Sequence, residues 1–212
     1  MNYIWDLDGT LIDSYDVIVS SLVDVAASAG VKDAAQEILR QVKTGSVSGY
    51  LRQLSSRTGE DYEALYAQYR SISHEKDDRI QLISGAETVL RKLQQQGGQH
   101  FVYTHRGAST ATLLDRLHLS PFFQEVVTWE NGFAPKPSGE GVRYLVEKYH
   151  LDPAETAYIG DRSIDIGCGK DAGVLAILYQ PADSCVLPTG QEDLIIDQLE
   201  QLCDFCATVS RR

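Results

Sequence analysis

Two carboxylates, Asp6 and Asp8, close the short apolar run Tyr3-Ile4-Trp5 and are followed at once by Gly9-Thr10. An apolar run of this kind suits a buried strand, and the glycine and threonine turn the chain immediately. A strand that ends in acids presents charge at the rim of a sheet, where open α/β folds bind ligands. Two close carboxylates repel each other unless a cation or a shared proton relieves them. An acidic turn is the alternative that these residues leave open by themselves. A calcium loop is excluded: it needs oxygen ligands at alternate positions and a glutamate at the twelfth, where this chain has Thr10, Ile12 and Val17.

Other elements must bring partners to these acids. Apolar runs predict strands at Tyr3–Trp5, Gln99–Tyr103, Glu125–Thr128, Thr156–Ile159 and Val174–Leu178. Helical spacing predicts helices at Ala86–Gln96, Ser109–Leu117, Gly139–Tyr149 and Ser163–Asp171, with a last one from near Asp197 to about Phe205, where Glu200 completes a capping box. Such alternation implies right-handed crossovers and a parallel sheet. Between Ser14 and about Ile80 the pattern is helical throughout, with Ser14 as an N-cap and Asp33 with Gln36 as a capping box. The expected fold is therefore α/β, a Rossmann-like parallel sheet core formed by residues 1–13 and 82–212. An all-helical cap domain, residues 14–81, is inserted through linkers near Ile12–Tyr15 and Ile80–Ser84.

The strand ends carry the chemistry. The first strand ends at Asp6 and Asp8, the second at Thr104, and the fourth at Asp161, with Asp165 four residues on. The loop after the third contains Lys136, stiffened by Pro135 and Pro137. In a parallel sheet these ends share one edge, so four acids, a hydroxyl and an ammonium converge.

The ordered set Asp6-Leu7-Asp8-Gly9-Thr10, Thr104, Lys136 and Gly160-Asp161-Arg162-Ser163-Ile164-Asp165 resembles the haloacid dehalogenase-like phosphatases. The insert after Asp13 resembles the small helical cap of the phosphoglycolate phosphatase and β-phosphoglucomutase subclass. The resemblance implies a magnesium-dependent phosphatase of a small phosphorylated metabolite. In it Asp6 is the nucleophile that forms an aspartyl phosphate, and Asp8 is the acid and base for the leaving alcohol and the attacking water. Asp6 and Asp161 give side-chain oxygens to the metal, and Asp8 its carbonyl. Asp165 orients Lys136 or a metal-bound water from close by. Thr104 and Lys136 hold the phosphoryl group, and Gly9 lets the backbone pass near it. A helical lid closing about the linkers excludes water.

Where the family usually has asparagine after the hydroxyl residue, this chain has His105 and then Arg106. His105 is expected to donate to phosphate or substrate, or to pack, and to make activity depend on pH near neutrality. Arg106 is a candidate for a substrate anion. In the cap, Gly45 and Ser46 fall where the subclass it resembles places a substrate-sensing loop, and Lys43 and Arg52 flank them as candidate anion binders. Asp8 argues against a dehalogenase, which has no leaving alcohol to protonate. A phosphomutase of the β-phosphoglucomutase kind and a non-catalytic phosphate-binding module are the rival readings.

The 212 residues carry a net charge of −11, which argues against a nucleic-acid surface. With no signal peptide and no apolar run of membrane-spanning length, the expectation is a cytoplasmic protein with no membrane partner, a monomer or a homodimer. Of Cys168, Cys185, Cys203 and Cys206 only the last two have suggestive spacing, but with no second pair or histidine near and no strand before them all four are read as reduced thiols.

Overall fold

The computed structural model describes residues 1–204. By contacts the chain divides into two compact units, one from Met1–Ile12 together with the residues from Leu82 onward, the other Asp13–Gln81.

The first unit is built on a parallel sheet. Its strands are β1 (Asn2–Trp5), β4 (Gln99–Tyr103), β5 (Phe123–Val127), β6 (Thr156–Gly160), β7 (Leu175–Tyr179) and β8 (Leu194–Ile196), in the order β5-β4-β1-β6-β7-β8. The connecting helices are α5 (Ala86–Gln95), α6 (Ser109–Arg116), α7 (Glu140–Lys148) and α8 (Ser163–Ala172). Chain order runs outward from β1 through β4 to β5, then restarts at β6 on the other side. The direction therefore reverses between β1 and β6, and ligands of such sheets bind in the crevice at that point. Register is parallel throughout, with Trp5 level with Val102 on one side and Ile159 on the other.

Both faces of the central strands are covered, which explains their continuous rather than alternating apolar runs. On one face Ile4, Phe101, Tyr103, Val142, Leu145 and Tyr158 pack as a single cluster. On the other, the fully buried His100 stacks on Tyr3, accepts from Trp5 Nε1 at Nδ1 (3.1 Å) and donates from Nε2 to Leu90 O (3.0 Å). Burial pushes this imidazole down to about 4, so the ring stays neutral and serves as a polar rivet.

The second unit is helical: α1 (Tyr15–Ser28), α2 (Ala35–Thr44), α3 (Val47–Thr58) and α4 (Tyr62–Glu75). Its core gathers Leu22, Val25, Ile38, Leu51 and Leu54, all fully buried. Ser46 and Asp61 cap α3 and α4 with their side chains, on Gly49 N and Ala64 N. Two short strands, β2 (Ile12–Asp13) and β3 (Gln81–Leu82), pair as a ribbon where the chain passes into and out of this unit.

Several local expectations fail. Ser14 stands at the N-cap of α1 but makes no capping hydrogen bond. Asp33 does not cap α2 either, since its carboxylate accepts from Tyr50 Oη (2.8 Å) and both Arg57 terminal nitrogens (2.7 and 2.9 Å). A charged bidentate partner outcompetes a backbone N–H. Near the end, β8 occupies Leu194–Ile196, a strand not foreseen, and helical turns begin only at Gln201. Gln201 Oε1 takes the backbone N–H of Asp197 and of Gln198, the role assigned to Glu200. Phe205 and Cys206 lie outside the described residues. Among those residues, no helix is long and apolar enough to cross a membrane.

Candidate active site

The parallel register brings the residues that follow the central strands to within about one residue of a common height. Asp6 follows β1, Thr104 follows β4 and Asp161 follows β6, and all three are buried. Asp6 is locked there by its own N–H, which donates to Ile159 O at 2.8 Å. Beyond it the chain folds back so tightly that Leu7 O accepts from the N–H groups of Thr10, Leu11 and Ile12 (3.2, 3.0 and 3.1 Å). Gly9 makes this possible, with φ at +81°, where a side chain would be strained.

Lys136 is the centre of the arrangement. Its ammonium donates to Asp6 Oδ1 (2.6 Å) and Asp165 Oδ1 (2.8 Å), with all three side chains shut away from solvent. The rings of Tyr103 and Tyr158 flank it at 5.3 and 5.2 Å, within cation–π range. Tyr158 Oη donates to Tyr103 O (3.1 Å). Asp165 also accepts from Arg162 N at Oδ2 (3.1 Å). It can lie against the end of β6 because residue 160 is glycine: a Cβ there would fall 2.4 Å from Asp165 Cγ.

A buried ammonium between buried carboxylates sets the protonation states. Burial pushes the Asp6 carboxyl up to about 7, opposed by Lys136 and reinforced by Asp165. Burial also acts against the Asp165 anion, but Lys136 and Arg162 hold it below the usual carboxylate range. Burial disfavours the Lys136 charge, and Asp165 and Asp6 together hold its pKa above the ordinary lysine value.

A second group lies alongside. Arg106 Nη1 donates to Asp8 Oδ1 at 2.9 Å, with both side chains largely buried. Arg106 N donates to Thr104 Oγ1 (3.1 Å), so that hydroxyl braces the turn after β4 rather than capping α6, which starts at Ser109. His105 does not titrate near neutrality as expected. Burial, then the charges of Lys136 and Arg162, push it down to about 4, and its Nε2 accepts the Lys136 backbone N–H at 2.9 Å.

The donors suit a hard divalent cation. Asp6, Asp161 and Asp165 each offer a carboxylate oxygen within 4.8 Å of the others, and oxygen-only sites of this type favour such ions. Asp6 Oδ2 is buried and accepts no hydrogen bond, an expensive state for an anionic oxygen unless a cation meets it. Asp165 has both oxygens engaged by Lys136 and Arg162 N, which suits it to orienting more than to ligation.

Gly45 and Arg52 belong to the helical unit. Gly45 ends α2, Arg52 stacks over the Tyr62 ring at 4.4 Å, and Lys43 over Tyr15 at the same distance. Sequence reasoning missed Tyr103, Tyr158 and Arg162. The two tyrosines carried a usable signal: each lies in the apolar run of a central strand and is buried there, where a phenol must find a partner.

Known proteins resemble this chain over most of its length. The family model for haloacid dehalogenase-like hydrolases matches residues 3–179. A pyrophosphatase PpaX of Bacillus velezensis is 30% identical over 94% of this chain and 93% of its own length. A phosphoglycolate phosphatase of Pseudomonas fluorescens is 24% identical over 95% of this chain and 78% of its own. Among solved structures, a predicted phosphoglycolate phosphatase from Haemophilus somnus shares the fold, with a TM-score of 0.85, 18% identity and 96% of each chain covered. An ordered acid set on a reversing parallel sheet, and a matching model over most of the sequence, lead to one conclusion: the chain belongs to the haloacid dehalogenase-like hydrolases.

Proposed function

We propose that the protein is a magnesium-dependent phosphatase acting on a small phosphorylated metabolite through an aspartyl phosphate. The observation that carries this reading is the Lys136 ammonium shared by Asp6 and Asp165 (2.6 and 2.8 Å) with Asp161 within ligand reach. Asp6 attacks phosphorus, and the bond to the leaving oxygen breaks as that oxygen takes the proton of Asp8. Asp8 then removes a proton from the water that attacks the phosphorylated Asp6, releasing phosphate and restoring the carboxylate. Lys136 and Thr104 hold the charge of the transferring group. Asp6, Asp161 and the Asp8 carbonyl would hold the magnesium ion, which supplies neutralising charge between nucleophile and phosphate.

Arg106, fixed on Asp8 at 2.9 Å, lies beside the leaving group that Asp8 serves. It favours a leaving group with its own negative charge. This also supports a second reading, cleavage of a phosphoanhydride, which fits the pyrophosphatase relative. A phosphate leaving group is a weak base and needs less help from a proton than an alkoxide does.

The test is a panel of 2-phosphoglycolate, pyrophosphate, sugar phosphates and nucleotides, with magnesium and with chelator. Phosphate release that chelator abolishes and magnesium restores is the expected result. Isomerisation of a sugar phosphate after priming with a bisphosphate would indicate a mutase, and silence across the panel a binding module.

A further inference from the structure

We infer that His105 is a positioning residue for Lys136, holding that residue's backbone N–H on Nε2 so that the end of β4 grips the lysine loop from both sides of Thr104. The inference rests on the phosphatase reading and extends it to a position where the family usually carries asparagine.

The loop has an unusual need. Pro135 and Pro137 have no N–H, so Lys136 is the only backbone donor in the triplet. Lys136 is 5% exposed, and a buried N–H without an acceptor is costly. His105 Nε2 meets it at 2.9 Å. Since Nε2 accepts, the ring proton belongs on Nδ1.

The ring is itself held in place. It stands edge-on to Tyr103 (6.3 Å, 87°) and to Trp129 (5.9 Å, 82°). Trp129 N donates to Arg106 O at 3.1 Å, which ties the turn after β5 to the turn after β4. Tyr103 takes a second hold on the same loop, its hydroxyl donating to Ala134 O (3.1 Å). Tyr103 and His105 are i and i+2 about Thr104, so alternate residues serve separate tasks. The outer two fix the loop backbone, Tyr103 at Ala134 and His105 at Lys136, and the middle one stays with the phosphoryl pocket. The lysine is thereby fixed at both ends, by His105 at the backbone and by two carboxylates at the ammonium. An imidazole reaches farther than an asparagine amide, and glutamine places its amide oxygen at about the reach of Nε2.

The experiment compares wild type, His105→Leu and His105→Gln by steady-state kinetics on the best panel substrate and by 15N NMR of the Lys136 amide. In H105L, kcat should fall roughly 10- to 100-fold with KM little changed, the cost typical of a lost supporting contact. The Lys136 amide proton should shift upfield in the same variant. H105Q should recover most of both. Unaltered kcat and amide shift in H105L would overturn the inference. So would equal impairment in H105Q, because packing rather than the acceptor would then be the cause. If H105L does not fold, the wild-type ring decides: an unprotonated Nε2 at neutral pH supports the inference, and the opposite tautomer overturns it. A wild type inactive on the whole panel, with the amide signal still showing the bond, would overturn the phosphatase reading and reduce the contact to a loop anchor.

Discussion

The two units bury different kinds of side chain. The helical unit encloses Leu22, Val25, Ile38, Leu51 and Leu54, and its buried polar groups are hydroxyls such as Ser14 and Ser21. The sheet unit encloses Asp6, Lys136, Asp161 and Asp165 within a few residues of one sheet edge. A buried ion cluster is poor evidence of stability, because desolvation consumes much of the Coulombic gain. Its retention at a reversing sheet edge is better explained by chemistry. The helical unit is stabilised mainly by packing, and its cations Lys43 and Arg52 lie on its own tyrosines.

The contrast can be tested from its strongest consequence downward. Asp6→Asn should cut turnover by roughly 10^4-fold or more, the scale seen when a nucleophile is removed, with near-ultraviolet dichroism unchanged; substantial residual turnover would place the chemistry elsewhere. Lys136→Met leaves Asp6 and Asp165 without their shared cation. It should cost about 3–5 kcal/mol in urea unfolding at neutral pH, and less as pH falls and the carboxyls take up protons. Leu51→Ala should cost about 2–5 kcal/mol, read as faster amide exchange in α1 to α4 while β1, β4 and β6 keep their protection. Equal loosening of both units would erase the contrast between them.

Smaller effects sharpen it. His100 is neutral when folded, with its pKa at about 4 against 6.5 when unfolded. Between those values the unfolded chain binds the extra proton, so this stability is present above pH 6.5 and lost as pH falls toward 4. The full contribution is on the order of 3 kcal/mol. Asp6, raised to about 7, acts in the opposite sense over much of the same range. The readout is therefore the difference in pH slope between wild type and His100→Gln, and identical slopes would show that His100 contributes nothing of this kind. Ser46→Ala, which removes the cap on Gly49 N, should cost about 1 kcal/mol in urea unfolding.

The sheet edge was legible where a polar residue follows an apolar run, a one-dimensional sign of a strand end, as Asp6, Thr104 and Asp161 do. Thr104 and Asp161 could be placed from such runs without knowing any contact. The features that escaped depend on contacts between distant segments. Asp33 looked like a helix cap until Arg57, on a later helix, provided a stronger partner. β8 is three residues long and gains its status from pairing with β7. His105 read as a titrating donor because the sequence shows the ring but not its burial or the Lys136 N–H that it accepts.

The ribbon of β2 and β3 has a consequence for how such a chain can change. Paired strands lie about 4.8 Å apart, so the insert departs and returns at neighbouring points. A segment attached in this way behaves as a cassette. It can be shortened, lengthened or exchanged for another by rejoining two adjacent ends, with no shift in the alignment of the six strands that carry the acids.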